Sequence, residues 1–139
     1  MNDARAAEVD ALLQRLAVWA AQRSDVRALA LVGSWAYEEP HANSDVDIVL
    51  LTREPALFID RDEWLGELGA NALIRTANWG VITERRVAVA NGLEVEIGVG
   101  TPAWASTDPV DAGTLRVVAD GMRILHDPDG LLAALAAAC

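Results

Sequence analysis

The 139 residues carry 21 acids against 11 bases, every base an arginine, for a formal net charge of −10. So acidic a chain is a poor partner for a DNA or RNA backbone, which binds through many phosphate neutralisations; a small cationic or metal-bound substrate suits it better. At 53 % apolar and 23 % charged it is a folding sequence, with the length for one core, so a single domain over 1–139 is expected.

Cys139 is the lone cysteine and offers neither a disulfide framework nor a thiol metal site. Asp3, Arg5, Glu8 and Asp10 break any signal-peptide core, and the longest uncharged run, 97–107, is 11 residues with Gly and Pro in it. That is too short to span a bilayer, so a cytoplasmic protein is expected.

Val9, Leu12, Leu13, Leu16, Trp19 and Ala20 recur at the spacing of one helix face, which predicts a helix over 3–23 with Asn2 or Asp3 as its cap. Ser24-Asp25 breaks it, and 26–32 reads as an apolar strand ended by Gly33. Residues 34–39 fit a short helix stopped by Pro40, its first N–H groups available to a phosphate. In the loop that follows, His41 is either a solvated side chain or a substrate contact.

The strand predicted over 45–52 is the unusual one. Asp is depleted in strands, yet Asp45 and Asp47 open a β-branched and aliphatic run. With a period of two, Asp45, Asp47, Val49 and Leu51 share one face and Val46, Ile48 and Leu50 the other. Two carboxylates held that close raise each other's pKa unless a cation compensates, and Mg²⁺ is characteristically held by one or two carboxylates plus substrate phosphates.

Residues 55–68 predict one or two short helices on Leu57, Phe58, Trp64, Leu65 and Leu68. A strand near 72–76, a tight turn at Asn78-Trp79-Gly80 and a strand from Val81 follow. Asn91-Gly92 between alternating strands predicts a two-residue type I′ hairpin. If Ala90 then faces Leu93, Val87 faces Glu96 and Arg85 faces Gly98, so that Glu94 and Glu96 share a face with Arg85 while Arg86 points away. Trp104 falls in a loop expected over the site, as a core residue or a stacking surface. Asp111 is placed to cap a helix over 112–120 with Gly121 as its stop, Met122 to His126 form a last strand, His126 and Asp127 are turn residues, and 130–138 a closing helix.

Val32-Gly33-Ser34, ten intervening residues, then Asp45-Val46-Asp47-Ile48 resembles the signature of the polymerase-β-like nucleotidyltransferase superfamily. The hairpin with its Glu94-Val95-Glu96-Ile97-Gly98, and Trp104 after it, looks like small stand-alone nucleotidyltransferase domains, including aminoglycoside adenylyltransferase-like proteins. The resemblance implies an α/β (α+β) nucleotidyltransferase fold, a mixed sheet of about five strands flanked by helices. It implies transfer of a nucleoside monophosphate from ATP or another NTP to a hydroxyl, with two Mg²⁺ ions held by Asp45, Asp47 and a third carboxylate from a neighbouring strand.

Glu94 and Glu96 are the candidates for that third acid, and Glu96, deeper in its strand, is preferred. Gly33 and Ser34 would hold phosphates, with Ser44 beside them, and Arg85 would either meet the nucleotide or balance Glu96. Relatives often carry Arg-Gly where this chain has Tyr37-Glu38, a departure that removes a positive charge near the phosphate site. The expected acceptor is a small molecule such as an aminoglycoside. Alternatives are a minimal nucleotidyltransferase acting as an antitoxin that binds or AMP-modifies a partner toxin, recognition coming from that chain or from a homodimer, and a catalytically inactive nucleotide-binding domain.

Overall fold

A computed structural model describes residues 3–37 and 44–139, with only the backbone of Asp3. Helix α1 (Asp3–Ala21) is followed by strands β1 (Ala28–Val32) and β2 (Val46–Leu51), two short helices α2 (Ala56–Ile59) and α3 (Glu63–Glu67), and strands β3 (Ala72–Asn78), β4 (Thr83–Ala88) and β5 (Glu94–Gly100). A 3-10 turn at Pro102–Ala105, helix α4 (Ala112–Asp120), strand β6 (Arg123–His126) and helix α5 (Leu131–Ala138) complete the chain. Among the described residues no helix is long and apolar enough to cross a membrane.

The strands form one mixed sheet of six, against the about five expected, in the order β3-β4-β5-β2-β1-β6; the last strand expected over Met122 to His126 is β6, which adds antiparallel to the free edge of β1. Only the β2–β5 pair is parallel, a pairing that requires the crossover through α2, α3 and the β3–β4 hairpin.

The period-two reading of the Asp strand holds on both faces. Val46, Ile48 and Leu50 enter a core with α1, α2 and α3, where all six helix-face residues of α1 are buried. Val49 and Leu51 enter a second core on the opposite face, with Ala28, Ala30, Ala105, Val118, Leu132 and Leu135. The 3-10 turn, α4 and α5 thus cover only the β1–β2 side of that second face, and the acidic ends of β2 and β5 are left open. Asp111 caps α4 as expected, accepting from Gly113 N (3.0 Å) and Thr114 N (3.2 Å). Asp127, more than a turn residue, accepts from Leu132 N and Ala133 N and so starts α5.

Several local expectations are corrected. The first strand begins at Ala28, and Ser34–Tyr37 make a hydrogen-bonded turn on the Gly33 carbonyl, with Ala36 N at 2.9 Å, in place of the expected helix. Asn2, Pro40, His41 and residues 38–43 generally lie outside the described residues. The Asn91-Gly92 turn does form with positive φ at both residues, 65° and 75°, as a type I′ turn demands. Val89 N, however, bonds to the Leu93 carbonyl, so Ala90 is one extra residue on the β4 side. The register is therefore Arg86↔Glu96 and Ala88↔Glu94, one residue from the expected pairing, and every β4 side chain is on the opposite face from the one the two-residue hairpin implied.

Candidate active site

Backbone pairing gathers the acids. Val32 lies opposite Asp47 across β1–β2, and Asp47 lies beside Glu96 in the parallel β2–β5 register. Asp45, two residues upstream of Asp47, shares that face, as do Glu94 on β5 and Glu84 and Arg86 on β4. Asp47 and Glu96 line a cleft of about 360 Å³ whose walls include Gly33, Tyr37, Trp79 and Trp104.

Gly33 has to be glycine for two reasons. Its φ is 75°, and a Cβ there would stand 3.0 Å from the carboxyl carbon of Asp47 and closer still to Oδ2. The bend after β1 is thereby pressed against the Asp47 carboxylate. Ser34 follows in the bend, half-buried, and Ser44 is buried at the start of β2, its carbonyl accepting from Trp35 Nε1 at 3.1 Å.

The register brings in Arg86 and takes Arg85 away. Arg86 donates from Nη1 to Asp45 Oδ2 (2.7 Å) and Glu94 Oε1 (3.2 Å), from Nη2 to Glu96 Oε2 (3.2 Å) and from Nε to Glu84 Oε2 (3.1 Å). Its guanidinium pKa is raised, chiefly by the Asp45 hydrogen bond. Arg85, expected at the nucleotide, is buried on the other face, where it donates to the Phe58, Ile59 and Arg61 carbonyls and pairs with Asp62. It neither meets the cleft nor balances Glu96; it ties the α2–α3 connection to the sheet.

Glu84, 2 % exposed at its side chain, anchors the floor. One oxygen accepts from Trp79 Nε1 (2.8 Å) and the other from Arg86 Nε and Arg75 Nε, both at 3.1 Å. Burial alone would raise its carboxyl, but these bonds from Trp79, Arg75 and Arg86 outweigh it and hold the group at about 2. Asp47 goes the other way: burial first, then a hydrogen bond with Glu96 and the charges of Glu96 and Asp45, push it up to about 7 against the pull of Arg86. Glu94 is the more open of the two candidate glutamates, 44 % exposed against 33 % for Glu96, and it reaches Arg86 while Glu96 reaches both Arg86 and Asp47.

The donor set fits a hard divalent cation. Asp45, Asp47 and Glu96 supply oxygens only, and the raised Asp47 is a carboxylate whose charge Arg86 leaves undercompensated. Among the described residues no group of three Asp, Glu, His or Cys side chains is arranged as it stands to hold a metal ion, so the acids suit a cation by their chemistry and not as a preformed cage.

Glu84 and Trp79 escaped the sequence reading as site residues, Arg86 was expected to point away, and Tyr37, expected only as a departure near the phosphate site, lines the cleft. Glu84 and Arg86 have the parity of Glu94 and Glu96 once Ala90 is counted as an extra residue, so the signal existed but hung on one loop residue.

A mixed sheet carrying acids at adjacent strand ends beside a glycine bend is the architecture of a nucleotidyltransferase. The streptomycin adenylyltransferase family model matches residues 7–89, well over half of the chain, and the protein belongs to that family. The fold is similar to the crystal structure of an aminoglycoside 6-adenyltransferase from Bacillus subtilis, with a TM-score of 0.54 and 14 % identity over 68 % of this chain and 35 % of that one. The chain thus spans about a third of that neighbour's length. No curated protein matches the sequence. The family match ends before β5, so it covers Asp45 and Asp47 but not Glu96.

Proposed function

We propose that the chain transfers a nucleoside monophosphate, AMP from ATP in the first instance, to a hydroxyl of a small polycationic acceptor such as an aminoglycoside, the acceptor oxygen bonding to the α-phosphorus as pyrophosphate leaves. The observation that carries this reading is the side-by-side register of Asp47 and Glu96, with Asp45 on the same face and Gly33 pressed against Asp47. Membership of an adenylyltransferase family supports the reaction class.

In this reading Asp45, Asp47 and Glu96 hold Mg²⁺, which supplies charge neutralisation at the triphosphate and a more acidic acceptor hydroxyl. Glu96 accepts the acceptor's proton, being beside Asp47 and half-open to the cleft. The bend at Gly33 and Ser34 receives the outer phosphates through backbone N–H groups. Tyr37, Trp79 and Trp104 give the apolar walls on which a base or sugar ring lies and from which water is excluded. Little covalent work falls to the protein, because such transfer is mostly positioning and electrostatic stabilisation.

The test is incubation with ATP labelled at the α-phosphate, Mg²⁺ and a panel of aminoglycosides. Label should move to an acceptor in the wild type and not in Asp47→Asn; equal product from both would remove the reading. A protein acceptor is the second reading, supported by an apolar turn beside the cleft, where the lining residue Trp79 is 65 % exposed and Val81, two residues on, 81 %. Label appearing on a co-purified protein, and on no small molecule, would decide for it.

A further inference from the structure

We propose that Arg86 takes the place of one of the two cations, so that the site binds a single divalent cation together with its nucleotide. This deepens, and rests on, the nucleotidyl-transfer reading.

Two ions bridged by Asp45 and Asp47 and completed by Glu96 would need oxygens from all three acids. One Asp45 oxygen and one Glu96 oxygen already take the two arms of the Arg86 fork, at 2.7 and 3.2 Å. A fixed guanidinium is itself a planar cation matched to carboxylates and phosphates. It is always charged, so it offsets one of the acidic charges before any metal arrives.

Arg86 is also poorly placed to leave. Its Cα is paired directly with that of Glu96, which fixes its distance from the acids. Its Nε is bonded to Glu84, and Glu84 is held in turn by Trp79 and Arg75. Withdrawing Arg86 would strip a buried carboxylate of a partner while exposing four acids to one another. Asp47 is different. It receives no hydrogen bond from Arg86, sharing one with Glu96 instead, and it is the acid pressed against the Gly33 bend. A single cation would have Asp47 and whichever oxygens of Asp45 and Glu96 Arg86 does not take, with nucleotide oxygens to complete it.

Equilibrium dialysis of the full chain against Mn²⁺ and α,β-methylene-ATP, with manganese and nucleotide counted per chain, tests this without turnover. One ion and one nucleotide are expected for the wild type, two ions for Arg86→Gln and one for Arg86→Lys, which keeps the charge. Two ions on the wild type overturn the proposal, and that count needs no variant to fold. One ion on a folded Arg86→Gln, checked by circular dichroism, overturns the assignment to Arg86. Neither ion nor nucleotide on the wild type would sink the nucleotidyl-transfer reading along with it, whereas a bound nucleotide with two ions would leave that reading standing.

Discussion

Asp47 combines a place against the Gly33 bend with a strongly raised proton affinity. Its carboxyl, normally near 3.8, is raised to about 7, so between those values the folded chain holds a proton that the unfolded chain has lost. Stability therefore falls as pH rises across that window. In metal-free buffer Asp47→Asn should leave stability near that of the wild type at about pH 4 and exceed it at about pH 8 by on the order of 1 kcal/mol, solvent access cutting the full shift; urea midpoints would check this. The same proton must leave for a cation to bind, so divalent affinity should rise up to about tenfold per pH unit below about 7 and level off above it, by calorimetric titration. Glu84 has the opposite sign: depressed to about 2, it contributes stability above the ordinary carboxylate range that is lost as pH falls through about 2. Glu84→Gln weakens charge-assisted bonds to two arginines and should cost about 1–3 kcal/mol, read from denaturant unfolding. Between the hairpin acids, Glu96→Gln should reduce transfer far more than Glu94→Gln, because only Glu96 borders Asp47; the reverse ranking in a turnover assay would move the site to Glu94.

At the scale of elements, the β4–β5 hairpin decides which arginine serves the cleft. Ala90 is a single added residue, yet side chains alternate with a period of two, so it exchanges Arg85 for Arg86 across the sheet. Deleting Ala90 would offer the hairpin its regular two-residue form at the cost of turning Arg86, Glu84 and their partners inside out. Asn91 permits the turn as built, since Asn tolerates φ 65° where β-carbon crowding penalises other residues. Asn91→Ala should cost about 1 kcal/mol by denaturant midpoint, and Asn91→Gly should be near neutral. Helices α4 and α5 were readable because their signals are local. The Asp111 cap and the Gly121 stop lie within one helix length of each other, and both fall where expected. The first turn after Gly33 was misread as helix because its residues have acceptable helix propensity, whereas the chain stays in a turn bonded to one carbonyl.

For the molecule as a whole, two cores on opposite faces of one sheet divide structure from chemistry. The α1–α3 side is apolar apart from the buried Arg85 that ties the α2–α3 connection to the sheet, while the other side is apolar only where the 3-10 turn, α4 and α5 sit. Leu135 is fully buried in that second core. Leu135→Ala should cost about 2–5 kcal/mol in chemical denaturation, loosening the cover that α4 and Trp104 lay beside the cleft. Much of this was legible beforehand, because the helix of 3.6-residue period, the strand of two-residue period, the capping acid and the Gly-Ser with paired aspartates each write their signal within a few neighbouring residues. The amino-acid order alone therefore set α1, the two faces of β2, the α4 cap and the orientation of Asp45 with Asp47. Only the tertiary structure decided that β2 and β5 run parallel with Asp47 beside Glu96, that a sixth strand closes on β1, and that Arg86 instead of Arg85 enters the acids. Those outcomes depend on pairing between strands, which joins segments about fifty residues apart for β2 with β5 and more than ninety for β1 with β6, and for Arg86 on one added hairpin residue, where a shift of one residue costs little locally and reverses every side chain.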